Sequence, residues 1–237
     1  MLSVASKPEQ LIGNRVALVG AIVYLLEFVG IAASGTVAPS GPRLRGAGAD
    51  AIVAGYTGHY FGIAFLAGWL SLALLGRIAF AAGLRFSLRR SGAEHAVADF
   101  AFGAMVSSVI LEVAGHAVAA SAAQVAASGG DSATVVALDA AANWLVMLLF
   151  APQGVFIFFS SLAMRWSRLF PRWICWLGLV AGMGEVLYGL VVGPAFAAGG
   201  MLWTYLPVLG FSGLAFWIWM LATGIVLFRH SGQTSRP

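Results

Sequence analysis

Glu27, Glu112, His116, Asp139 and Glu185 are groups that exchange protons or bind cations, and all five stand inside long apolar runs of this 237-residue chain. Asn143 follows Asp139 at four residues, the same spacing that separates His116 from Glu112, so each pair shares one helical face. A charged side chain deep in an apolar span costs at least about 2.5–3.5 kcal/mol on insertion scales, which means each needs a partner or a use. Two kinds of chemistry suit them. A carboxylic acid kept protonated by apolar surroundings can give a proton to an alkene, epoxide or carbonyl while a second carboxylate removes one. The 16 Phe, 8 Trp and 5 Tyr offer aromatic faces to a cationic intermediate. Glu27, Glu112, Glu185 and Asp139 are the expected catalytic groups, and His59, His116, Asn143, Tyr205 and Trp144 are expected to line the substrate. Alternatively, Glu27, Glu112, His116 and Glu185 hold one or two divalent metal ions. Metal sites in helical bundles usually carry Glu-x-x-His on two helices, and here a single Glu-x-x-x-His occurs, so acid–base chemistry without a cofactor stands ahead of a divalent metal.

The elements that must position these groups are membrane spans. Hydrophobic residues make up 60% of the chain and charged residues 9%, too little polar surface to coat a soluble globule of this size. Crossing the hydrocarbon core takes about 20 apolar residues. Six such stretches are read at 14–34, 58–82, 98–120, 135–162, 173–193 and 204–228, giving an all-α, polytopic helical bundle in a single domain over 1–237. The first is read as a retained span, since Glu27 is a poor residue for a secretory signal. Cys175 is alone, which excludes an internal disulfide or a multi-cysteine metal site. The net charge of +4 comes from arginines at the ends of spans, so it speaks for membrane orientation and not for nucleic acid. Gly178 and Gly182 form a small-xxx-small pair for close packing, and Gly103, Ser107 and Gly115 are expected to line one packing side of the third span.

Lys7, Arg15, Arg77, Arg85, Arg89, Arg90, Arg165, Arg168, Arg172, Arg229 and Arg236 fall on one side of the spans and only Arg43 and Arg45 on the other, eleven against two. Both termini and the 83–97 and 163–172 loops are therefore expected in the cytoplasm, with 35–57, 121–134 and 194–203 outside. At 1.5 Å per residue, Glu27, Glu112 and Glu185 all come roughly 3–5 Å outward of mid-span. Asn143 and His116 follow at roughly 7–10 Å, and Asp139, His59 and Tyr205 at roughly 13–15 Å. The pattern describes an outward polar funnel floored by three carboxylates and closed below by apolar residues. Arginine is absent from that depth in this reading, so shared protons, a metal or a cationic substrate must balance the carboxylates. Trp203 is an interfacial aromatic, Asp99 a helix-terminal residue, and His95 and His230 have no role.

The stretch SSLAMRWSRLFPRWICWLGLVAGMGEVLYGL, residues 160–190, resembles the segment joining the fourth and fifth helices of a family of uncharacterised bacterial six-helix integral membrane proteins, and the opening NRVALVGAIVYLLEFVGIAAS is similar to theirs. The resemblance implies a six-helix fold in a bacterial-type cytoplasmic (inner) membrane and supplies no activity. The functional expectation is a small intramembrane enzyme, of isomerase or cyclase type, whose partners are a lipophilic, isoprenoid-like small molecule and membrane lipid, not nucleic acid. The alternative is a membrane-embedded solute-binding or transport protein, against which stands the lack of ionisable stepping stones in the cytoplasmic half.

Overall fold

The computed structural model describes residues 7–34, 48–198 and 201–233, and side chains over 12–34, 48–192 and 211–230. Described residues form only helices: α1 (Lys7–Ser34), α2 (Ala49–Gly58), α3 (Tyr60–Ala73), α4 (Leu75–Arg90), α5 (His95–Ala127), α6 (Ser132–Leu148), α7 (Phe150–Ser167), α8 (Arg172–Ala198) and α9 (Met201–Gln233). Six continuous or nearly continuous helical stretches are long and apolar enough to cross a membrane: Ile12–Ser34, Tyr60–Arg90, His95–Ala127, Ser132–Ser167, Arg172–Val192 and Phe211–His230. The chain is a multi-pass, all-α membrane protein, as its composition requires.

Each span packs on its neighbours in sequence, and α9 closes against α1. The closest seams are built on small residues. A Cβ on Gly83 would lie 2.6 Å from the Ala17 nitrogen, and one on Gly76 would lie 2.6 Å from the Tyr24 nitrogen, so α1 and α4 touch backbone to backbone. Gly154 and Gly182 do the same for α7 and α8, where a Cβ on Gly182 would meet the Phe158 nitrogen at 2.5 Å. Lipid offers no hydrophobic drive for helix association, so this close approach supplies the van der Waals contact instead. The Gly178–Gly182 pair expected to pack does so. Gly115 also packs, against Val146 and Ala142, but Gly103 faces open space and exposed Ser107 bonds the Gly103 carbonyl of its own helix. Their spacing placed them near Gly115's face, yet no neighbouring helix covers that side.

Three features depart from simple rods. The 35–57 segment, read as a loop, holds all but the last residue of α2, which packs on α5 and α6. The second span is interrupted at Leu74, where the Arg77 amide bonds the Leu74 carbonyl three residues back instead of four. The fourth breaks at Leu149, between α6 and α7. Pro152 explains that break, because it has no N–H to donate and its ring crowds the carbonyl four residues earlier. Turns between spans use ordinary helix ends: after α5, Gly129 takes φ +72° while Gly130 bonds the Val125 carbonyl at 2.9 Å, and Asp131 then caps α6 through the Thr134 amide at 2.9 Å.

Two outcomes are expected from this packing. Gly182→Leu lowers the thermal midpoint sharply and broadens the size-exclusion peak in detergent, since overpacking a helix seam costs at least about 1–3 kcal/mol, whereas Gly103→Leu stays near wild type. The Asp131 carboxyl is held below its ordinary value of 3.8, chiefly because it accepts from the Thr134 amide and then from the Thr134 hydroxyl. A lowered carboxyl stabilises the fold above its unfolded-state value and loses that contribution as acid titrates it. Asp131→Ala therefore melts below wild type at neutral pH, and the two melting curves converge as pH falls beneath 3.8.

Candidate functional site

Buried polar groups gather around Arg77, three residues after the Leu74 break. The residue is 1% exposed. Its guanidinium is ion-paired with Glu112 of α5 and donates a hydrogen bond to the Gln153 amide oxygen of α7, and its Cζ lies 4.8 Å from the Tyr24 ring centroid of α1. A planar guanidinium suits this position, because it can serve a carboxylate and an amide at its edge and an aromatic ring on its face. Gln153 comes four residues after the Leu149 break and its amide nitrogen bonds the Leu149 carbonyl at 3.1 Å. Both interrupted spans therefore deliver a polar side chain just beyond their break, and the two side chains meet.

The other sequence candidates join this centre in part. Glu112 is 7% exposed, and His116, at 4%, places Nε2 4.0 Å from Glu112 Oε1 on the shared helix face. Glu27 lies within hydrogen-bond reach of the Tyr24 hydroxyl and within electrostatic range of His116. Glu185, 1% exposed on α8, stands beside Ser212 of α9 and within range of Arg77. Glu27, Glu112 and Glu185 thus come from three helices to one neighbourhood, with a permanent cation among them. The expectation that no arginine reaches this depth is overturned. A second span ending at residue 82 puts Arg77 toward the cytoplasmic end, but the helix runs on to Arg90, which puts Arg77 near its middle. Without Arg77 the Lys and Arg distribution still stands at ten against two.

Asp139 and Asn143 form a second group. The Tyr56 hydroxyl donates to Asp139 Oδ1 at 2.7 Å and the Asn143 amide donates to Oδ2 at 3.1 Å, all three residues being buried. This clamp fastens α2 to α6 and answers the question of what the intramembrane Asp139 is paired with. His59 stands apart from both groups: it is exposed at the α2–α3 junction, with Nδ1 2.9 Å from the Gly55 carbonyl oxygen. Trp144 lies on the exposed side of α6. Tyr205 and Trp203 belong to a helical stretch whose side chains fall outside those described. Among the described residues no three His, Cys, Asp or Glu side chains are grouped to hold a metal ion. The set of Glu27, Glu112, His116 and Glu185 is therefore not assembled as ligands, and Glu112 is already engaged by Arg77.

The apolar floor expected below the carboxylates is also interrupted. Ser87 donates to Asn14 Oδ1 at 2.7 Å between α4 and α1, and Arg85 Nε bonds Asp99 Oδ1 at 2.7 Å between α4 and α5, with Arg89 3.7 Å away. Asp99, expected as a helix-terminal residue, is an ion-pair partner just past the first turn of α5. Sequence reading missed Arg77, Gln153, Tyr24 and Tyr56. The signal for two of them was present: an arginine inside LALLGRIAFAAG and a glutamine directly after Pro152 are polar residues within apolar helix. No protein-family model, curated protein or solved structure matches this chain.

Breaking a buried ion pair from one side strands a charge at a cost of about 3–5 kcal/mol, while replacing both partners by apolar groups of similar volume is close to neutral. Arg77→Met alone is thus expected to lose most of the folded fraction in a thermal-melt assay in detergent. Arg77→Met combined with Glu112→Leu recovers it. Equal melting of the two variants would show that the pair does not hold the bundle together.

Proposed function

We propose that this protein is an intramembrane acid–base enzyme acting on a lipophilic substrate, with the Arg77 cluster as its reactive centre. The observation that carries the reading is the charge balance of that cluster. Three carboxylates share their neighbourhood with one arginine and one imidazole, which leaves an excess of acidic groups that only protons or a cation can neutralise in a medium of low dielectric. Glu112, held by the Arg77 guanidinium, is the proton acceptor. Glu185, on another helix and next to Ser212, is the donor, so the two carboxyls have different surroundings and different roles. His116 adjoins Glu112 and relays its proton. The Asp139–Asn143 clamp serves structure in this account, which removes Asp139 from the catalytic set. A lipophilic molecule reaches the centre laterally, where α6 packs closely on α5 and only lightly on α8. Isomerisation or cyclisation of an isoprenoid-like chain, in a bacterial-type cytoplasmic membrane, remains the specific form of the proposal.

Proton- or cation-coupled transport is a second reading, favoured by one observation. Polar pairs continue along α4 from Arg77 through Arg85–Asp99 to Ser87–Asn14, spanning about 15 Å, and Arg85–Asp99 is an ionisable pair of the kind whose expected absence counted against transport.

Purified protein in proteoliposomes, incubated with total membrane lipid extract, is expected to alter at least one lipophilic component by chromatography and mass spectrometry. Glu185→Gln is expected to reduce that conversion by a factor of about 10²–10⁴ while eluting as folded protein, since Gln keeps the shape but not the exchangeable proton, whereas Glu112→Gln also strands the Arg77 charge and is expected to lose folded fraction together with conversion. His95→Ala stays at wild-type rate. Unchanged lipid together with dye-detected proton flux that Glu185→Gln abolishes would reject the enzyme in favour of transport.

A further inference from the structure

A second site stands at the opposite end of the bundle's chemistry, where α7 turns into α8. Arg165, Arg168 and Arg172 line one cavity of about 720 Å³ together with Phe170, Cys175 and Trp176. Its lining holds three guanidinium groups and no carboxylate. Like charges brought together on one turn repel unless an anion is drawn among them, and a cluster of guanidiniums is suited to phosphate oxygens through paired N–H donors. Arg165 is oriented within the cluster, its Cζ 4.9 Å from the Trp176 ring centroid. Arg168 occupies the left-handed region at φ 56°, a conformation usually left to glycine, and lines both this cavity and an adjoining one of about 410 Å³ that adds Arg229 and His230. The turn thus carries a charged side chain between two concave surfaces.

The surroundings point to a lipid as the source of the phosphate. Trp166, Trp173 and Trp176 are all exposed and bracket the arginines, and such an aromatic collar marks the headgroup level of a bilayer. The Arg165–Arg172 turn also joins two membrane-spanning helices, so the cavity opens where headgroups lie. Basic pockets between spans at the positively charged end of a bundle are suited to anionic headgroups. We propose that this pocket binds the phosphate of an anionic phospholipid, held by Arg165, Arg168 and Arg172. The assignment does not depend on what the Arg77 cluster does.

Full-length protein in a neutral detergent can be titrated with short-chain phosphatidylglycerol, short-chain phosphatidylcholine and inorganic phosphate, read by tryptophan fluorescence and by native mass spectrometry. Phosphatidylglycerol is expected to bind and phosphatidylcholine not. Arg165→Gln, Arg168→Gln and Arg172→Gln each weaken binding about fivefold, the triple variant abolishes it, and Arg168→Lys, which keeps the charge, retains most of it. Arg15→Gln, at an exposed arginine outside the pocket, leaves it unchanged. Saturable binding of inorganic phosphate with the same sensitivity to the three arginines would keep the phosphate site and replace the lipid as its source. Phosphatidylglycerol binding that survives the triple variant, that Arg15→Gln weakens as much, or that does not occur at all would overturn the proposal. Should the triple variant elute as aggregate, the single substitutions decide.

Discussion

Everything near the middle of this bundle is conditioned by one buried cation. A guanidinium is a cation with donors and no acceptor, so the fold must bring an anion and hydrogen-bond acceptors to Arg77. Glu112, Gln153 and Tyr24 meet that demand from three different helices. The pair they form is not a source of great net stability, because both charges lost water to reach it. Its effect is to specify: α1, α4, α5 and α7 have few ways to pack that satisfy the guanidinium, and many that would leave it unpaired.

The helix interruptions follow from the same demand. A straight helix presents its side chains at fixed angular steps, and a local tightening resets the angle at which the residues beyond it face their neighbours. The second span tightens at Leu74 and the fourth is broken at Leu149 ahead of Pro152, in each case about one turn before the side chain that enters the centre. The glycine seams do complementary work. With α1 and α4 in backbone contact along Gly76 and Gly83, and α7 and α8 in contact along Gly154 and Gly182, the helices carrying Arg77 and Gln153 are each anchored on one side and present their polar groups on another.

Much of the fold was legible in the sequence because lipid imposes strict rules: long apolar runs must be helices, and their number and approximate ends can be read directly. The gathering of Glu27, Glu112 and Glu185 was legible too, through depth alone. What escaped was partnership. Depth says how far along a span a group lies but not which neighbour it faces, so Asp139 was grouped with the carboxylates when its partners are Tyr56 on a short helix hidden in an apparent loop and Asn143 on its own. Arg77 escaped for a different reason. Counting arginines to orient a membrane protein assumes that each lies at a span end, and a buried one is absorbed into the tally without notice.

Chain order gives the Arg77 pair a consequence for biogenesis. The second span leaves the ribosome with its arginine at mid-helix, thirty-five residues before Glu112 is made and seventy-six before Gln153. At about 5–20 residues per second, that span must wait seconds for its counter-charge. During that interval it is only marginally suited to lipid, and the translocation channel's aqueous interior, or the already threaded first helix with Tyr24, is the place where its guanidinium can shelter. Only synthesis of the third span supplies the counter-charge, so the position of a single ion pair ties the solvation of the second span to the arrival of the third.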